Sequence, residues 1–164
     1  MFEKEVYIGR RTKLRDRMGS GIALFLGNPE APMNSPDNFY HYRQDSSFLY
    51  FFGLNYPGVL GIVDIDNDQT HLFGDDVDLD DIIWMGPQPT LKEDAAKVGI
   101  AQTAPFKEAV RYLAEAIRKG RKVHFLPPYR AENIILLQDL LGIHPSRVQD
   151  YASAELVKAV VGLR

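Results

Sequence analysis

No cysteine occurs among the 164 residues, which excludes disulfides, thiolate metal sites and a thiol nucleophile. Nor does any apolar run approach the roughly 20 residues that a membrane-spanning helix needs. Basic residues are not in excess: 19 Lys and Arg stand against 22 Asp and Glu, a net charge of -3 that argues against general nucleic-acid binding. Catalytic signatures are missing as well. There is no Gly-x-Ser-x-Gly elbow and no phosphate loop. Gly19-Ser20-Gly21 lacks a third glycine and stands before an apolar run instead of after it, so it is no dinucleotide fingerprint. The histidines, at 41, 71, 124 and 144, never take the i, i+4 spacing of a helical zinc pair. By residue type alone, the chain contains no recognisable catalytic site.

What is present is concentrated in residues 37–58, which hold eight of the eighteen aromatic side chains. A polar knot, Arg43-Gln44-Asp45-Ser46-Ser47, separates two aromatic clusters. Residues 48–52 are apolar or aromatic on both alternating faces, which predicts a strand buried on both sides, closed by Gly53. On an extended chain Arg43 and Asp45 point the same way, so they either pair or face a cleft together.

The remainder reads as a soluble α/β domain with 45% apolar and 25% charged residues. Residues 3–18 predict an amphipathic helix with Leu14 and Met18 on one face and a solvated basic face from Arg10, Arg11, Lys13, Arg15 and Arg17. Residues 22–26 predict a strand, and 59–65 with 69–73 a hairpin around an acidic turn. Asp64-x-Asp66-x-Asp68 is no calcium loop, because Gln69 and Asp75 stand where the sixth-position glycine and twelfth-position glutamate belong. The five aspartates of residues 74–83 read as a solvated acidic loop, in preference to a magnesium site. Thr90 and Glu93 form a capping box ahead of a short helix. Further helices are expected over 106–119, with Phe106, Val110, Leu113 and Ile117 inward, and over 130–141; strands over 122–126 and 147–151; and a last helix capped by Ser153. His124, inside an apolar strand, reads as a satisfied core histidine. Trp84, beside Gly86-Pro87, suits a cleft wall or ordinary packing equally. The N-terminus has no apolar signal core, and the expectation is a cytoplasmic protein.

Residues 37–58 also carry a resemblance. Asp37, Tyr40-His41-Tyr42-Arg43-Gln44-Asp45-Ser46 and Phe48-Leu49-Tyr50-Phe51-Phe52-Gly53 resemble the N-terminal domain of the Xaa-Pro aminopeptidases (aminopeptidase P), in the creatinase/prolidase "pita-bread" peptidase group. Arg10-Arg11, Ile83-Trp84-Met85-Gly86 and the closing Glu155-Leu156-Val157-Lys158 agree with it. The resemblance implies a three-layer α/β domain of ribonuclease H-like type, with a mixed sheet of about six strands and helices on both faces. It implies a catalytic C-terminal domain following residue 164, where two Asp, one His and two Glu hold two divalent metal ions, usually manganese. It implies no catalytic residue and no metal ligand within 1–164. This domain would wall the substrate cleft with Asp37, Tyr40, Arg43 and Trp84, admit peptides with proline second, and help build a homodimer or homotetramer. Gly86-Pro87-Gln88-Pro89 departs from the more basic stretch of some members and leaves substrate preference open. The alternative is a stand-alone peptide- or protein-binding domain descended from such an enzyme.

Overall fold

The chain runs through helix α1 (Lys4–Arg17), strand β1 (Ile22–Leu26), a small hairpin of β2 (Pro32–Ser35) and β3 (Asn38–Phe39), and helix α2 (Ser46–Phe52). Then come β4 (Val59–Asp64), β5 (Gln69–Gly74), α3 (Leu91–Lys97), β6 (Gln102–Ala104), α4 (Glu108–Arg118) and β7 (Val123–Phe125). Helix α5 (Ala131–Leu141), a 3-10 turn at Pro145–Arg147, α6 (Val148–Tyr151) and α7 (Ala154–Val161) finish it. These elements come from a computed structural model that describes residues 1–78, 82–83 and 86–164.

The main sheet is mixed, in the order β6-β5-β4-β1-β7. β1 pairs antiparallel with β4 and parallel with β7, while β4–β5 is the expected hairpin and β6 lies parallel to β5. Side chains alternate across it. Ala23, Phe25 and Val63 enter one core with α1, α2, α3 and α7. Ile22, Leu24, Leu60 and Ile62 enter a second core with α4 and α5. Helices therefore cover both faces, which is the three-layer α/β architecture the resemblance implies. It also explains why β1 and β4 read as unbroken apolar runs. Gly61 is required in β4, because a Cβ there would lie 2.3 Å from Phe52 Cζ. The Phe52 ring packs flat over that bare backbone.

The structure departs from the expectations in four places. Residues 48–52 are helical, not a strand. The Asp45 carboxylate accepts from the backbone N–H groups of Ser47 and Phe48, both at 2.9 Å, and Gly53 closes the helix at φ 70°. The burial of Phe48, Phe51 and Phe52 then follows the i, i+3, i+4 rule of a helix, which an all-aromatic run cannot distinguish from a two-sided strand. Residues 147–151 are likewise helical, because His144 Nδ1 accepts from Ser146 N and Pro145 pre-sets the first turn. With β6 gained, the sheet has five strands. In α4 the inward face is Ala109, Leu113 and Ala116, while Val110 and Ile117 are exposed. The alanines let that helix approach the sheet closely. Finally, the basic side chains of α1 are not all solvated. Tyr7, Arg11, Leu14 and Met18 form one buried stripe, and Arg11 is only 2% exposed.

Candidate functional site

The polar knot opens onto a pocket of about 440 Å³. One wall is the loop after β1, with Asn28 and Pro29; a second is residues 40–44 with Ser46; a third is Tyr129 and Arg130, between β7 and α5. Asn28 joins the three. Its backbone N–H donates to Gln44 Oε1 at 2.6 Å, its Nδ2 donates to the Arg43 carbonyl at 3.1 Å and to Tyr129 Oη at 3.0 Å, and its carbonyl accepts from Tyr42 Oη at 2.9 Å. Gln44 is buried and ties the knot onward: its Nε2 donates to the Tyr56 carbonyl at 2.9 Å. Arg130 Nη1 donates to the Pro29 carbonyl at 3.0 Å. Burial pushes the Tyr42 phenol well above its ordinary pKa, so Tyr42 stays a neutral donor. Tyr129 is raised in the same direction, again by burial first. The floor of the pocket is thus held by neutral, mutually satisfied groups.

Of the residues singled out in the sequence, Tyr40 and Arg43 line this pocket, as does His41. Asp37 does not. It is exposed at the β2–β3 turn, where its backbone N–H donates to Ser35 Oγ at 3.3 Å. Trp84 lies outside the described residues. Arg43 and Asp45 form no ion pair among the described residues. Asp45 instead caps α2 and accepts from Tyr129 Oη at 3.1 Å. Asn28, Tyr129 and Arg130 were not anticipated; the only signal was a polar or aromatic side chain beside loop prolines, Pro29 and Pro128.

The other charged clusters are structural. Asp64 is fully buried and accepts from Arg121, from Tyr112 Oη at 2.5 Å, and from Asn67 Nδ2 at 2.9 Å. Burial alone would raise its pKa, but these donors outweigh burial and hold the carboxyl down at about 2. Asp66 accepts from Arg121 Nε at 2.8 Å and from Gly21 N at 2.8 Å. Asp64 and Asp66 therefore clamp Arg121, while the third aspartate, Asp68, pairs with Arg15 Nε at 3.3 Å. In the aspartate run, Asp76 accepts from Leu91 N at 2.6 Å and Asp75 from Phe106 N at 3.0 Å. Asp76 thus caps α3 and Asp75 ties down the turn ahead of α4, so neither is merely a solvated loop residue; Asp80 and Asp81 lie outside the described residues. His124 is buried, with Nδ1 2.8 Å from Ser153 Oγ and Nε2 3.0 Å from the Ser20 carbonyl, and burial lowers its pKa. It is a satisfied core histidine.

Among the described residues, no group of three or more His, Asp or Glu side chains is placed to hold a metal ion. The described residues do not fit the metal pair of the pita-bread peptidases. No helix among the described residues is long and apolar enough to cross a membrane.

Comparison with known proteins decides the family. The profile described as "Aminopeptidase P, N-terminal domain" matches residues 7–124, well over half of the chain. The chain belongs to this family. Its relatives include an Xaa-Pro aminopeptidase of Escherichia coli K12, 37% identical over 115 residues, covering 66% of this chain and 25% of that protein. A probable Xaa-Pro aminopeptidase of Aspergillus terreus is 26% identical over 147 residues, covering 89% of this chain and 28% of the relative. Among solved structures, aminopeptidase P from E. coli in a low-pH form superposes with a TM-score of 0.72 at 26% identity, over 87% of this chain and 33% of that one. Proline aminopeptidase P II from Yersinia pestis gives 0.72 at 25% identity, over 86% of this chain and 33% of that one. The chain thus spans about a quarter to a third of the length of these relatives.

Proposed function

We propose that this chain is the non-catalytic N-terminal domain of a metal-dependent Xaa-Pro aminopeptidase, an enzyme that removes an N-terminal residue preceding proline. The observation that carries the reading is the family match over residues 7–124, with the Tyr40 to Ser46 motif set around an open pocket instead of being consumed in the core. In this reading the domain walls the active-site cleft with Asp37, Tyr40, Arg43 and Trp84. It packs on its own catalytic domain and supports a homo-oligomer, a dimer or tetramer, in the cytoplasm. Two divalent metal ions, usually manganese in this family, are held by the catalytic domain and supply the hydroxide that attacks the amide preceding proline. What this chain's residues contribute is shape and charge. Tyr40 presents an aromatic face and Arg43 a cation to a peptide held between the two domains.

The test is the encoding gene read past position 164, with the encoded protein assayed on a proline-second peptide in manganese. The expected result is Asp, His and Glu ligands in order and metal-dependent turnover, with no turnover by residues 1–164 alone. Absence of both ligands and turnover would replace this reading with a stand-alone binding domain.

A further inference from the structure

The pocket at the polar knot is lined by His41, Arg43 and Arg130, and none of its lining residues is Asp or Glu, in a chain whose net charge is -3. Two carboxylates stand outside the lining, Asp45 and Glu30, and both act on Tyr42 through their fields without pairing with either arginine. The Asp45 oxygens accept from the N–H groups that start α2 and from Tyr129. Arg130 is aimed by its bond to the Pro29 carbonyl. Arg43 is held by its backbone alone, through Asn28, and its guanidinium is exposed, with no hydrogen-bond or ion-pair partner among the described residues. A braced wall thus presents an unpaired guanidinium, whose planar fork matches a carboxylate. Beside it stand the exposed rings of Tyr40, 61% accessible, and Tyr129, 69% accessible, available to cover an apolar group next to that anion.

We propose that this pocket binds the carboxylate of a short peptide, with Arg43 as its ion-pair partner, Arg130 as the second positive charge, and Tyr40 and Tyr129 against the adjoining residue. The proposal deepens the peptide-handling role given above and rests on it for the peptide. The carboxylate comes from one of two sources, a free C-terminus or an acidic side chain.

The test is an NMR titration of the 164-residue chain with three tripeptides: Ala-Pro-Ala as the free acid, the same peptide as its C-terminal amide, and Ala-Pro-Glu amide. The free acid, or else the glutamate peptide, binds about tenfold or more tighter than the plain amide, the scale of one charge-assisted contact. Whichever acid is preferred identifies the source. In Arg43→Gln the preference disappears, and in Arg43→Lys part of it remains, since lysine keeps the charge but loses the fork. Arg43→Gln melts with the wild type, because its exposed side chain holds nothing. Equal affinity for acid and amide overturns the proposal, as does failure of all three to bind, or an acid preference that survives Arg43→Gln. No step of the titration requires turnover. A chain that discriminates carboxylates while the complete encoded protein cleaves no peptide would sink the peptidase reading alone. Turnover without carboxylate discrimination would sink only this one.

Discussion

Arg11 and Arg43 are both guanidiniums set beside the same aromatic stretch, and their surroundings differ completely. Arg11 is buried on α1 and donates to the Phe51 carbonyl at 2.7 Å, the Val98 carbonyl at 2.6 Å and the Gly99 carbonyl at 3.3 Å. Those carbonyls lie at the C-terminal ends of α2 and α3, where a cation is favoured by the helix dipole and by the unpaired C=O groups. No carboxylate is needed to hold it. Burial first, and Arg15 second, lower the pKa of Arg11 to about 10, so it is still charged at neutral pH. Arg43 lies on an equally braced backbone but has an empty guanidinium facing a pocket. In this molecule a saturated polar group marks the scaffold, and an unsaturated one over a rigid wall marks where a ligand would be met.

The contrast is broken or sharpened first at Arg11. Arg11→Met keeps the length and apolar stem but leaves three carbonyls without donors and two helix ends without their cation. The expected loss is about 3 kcal/mol or more in a denaturant melt, the scale of lost charged hydrogen bonds in a buried site. Arg43→Gln, on the same scale, stays within about 0.5 kcal/mol. Similar losses for both variants would erase the distinction between scaffold and site.

The second test is the arginine clamp at Asp64. Its carboxyl ordinarily titrates at 3.8 and is held at about 2 in the folded chain. The unfolded chain therefore takes up the proton first as the pH falls. Stability contributed by Asp64 is complete above about pH 4 and drains away as the pH drops through about 2, a loss on the order of 2 kcal/mol. Asp64→Asn should be less stable at neutral pH and should flatten this acid limb. An acid limb identical in wild type and variant would remove Asp64 from the scaffold.

Much of this fold was legible in the sequence because several elements carry redundant signals. The β4–β5 hairpin has two apolar runs and an acidic turn, and α3 has its capping box, with Glu93 N donating to Thr90 Oγ1 at 3.2 Å. Helix α2 was misread because five apolar residues in a row satisfy both periods. Only the Asp45 cap and Gly53 separate them, and in the sequence Asp45 reads as part of the polar knot and Gly53 as the end of a strand. Arg11 was misread for a different reason. A buried cation paired with carbonyls leaves no partner of opposite charge in the sequence to reveal it. The pocket was half visible: Tyr40 and Arg43 stood in a recognisable motif, whereas Tyr129 and Arg130 reach it from 101 residues past Asn28 and Pro29, by bonds no local pattern encodes.

The smallest expected effect belongs to the aspartate run, where the structure splits what the sequence presents as uniform. Asp76 lies 15 residues before Leu91 yet accepts its N–H at 2.6 Å, satisfying a first-turn donor of α3 that the capping box does not reach. Its negative charge also sits at the positive end of that helix. Asp76→Ala should therefore cost about 1 kcal/mol, the usual price of a lost N-terminal cap. Asp76→Asn keeps an acceptor oxygen and should recover most of it. The measurement is a pair of denaturant melts at neutral pH in low and high salt. A loss in the Ala variant that vanishes at high salt would reduce Asp76 to a charge near a dipole, because a direct hydrogen bond survives screening that a field effect does not. A loss that persists places Asp76 with Arg11 in the scaffold, as a side chain whose partner is distant backbone.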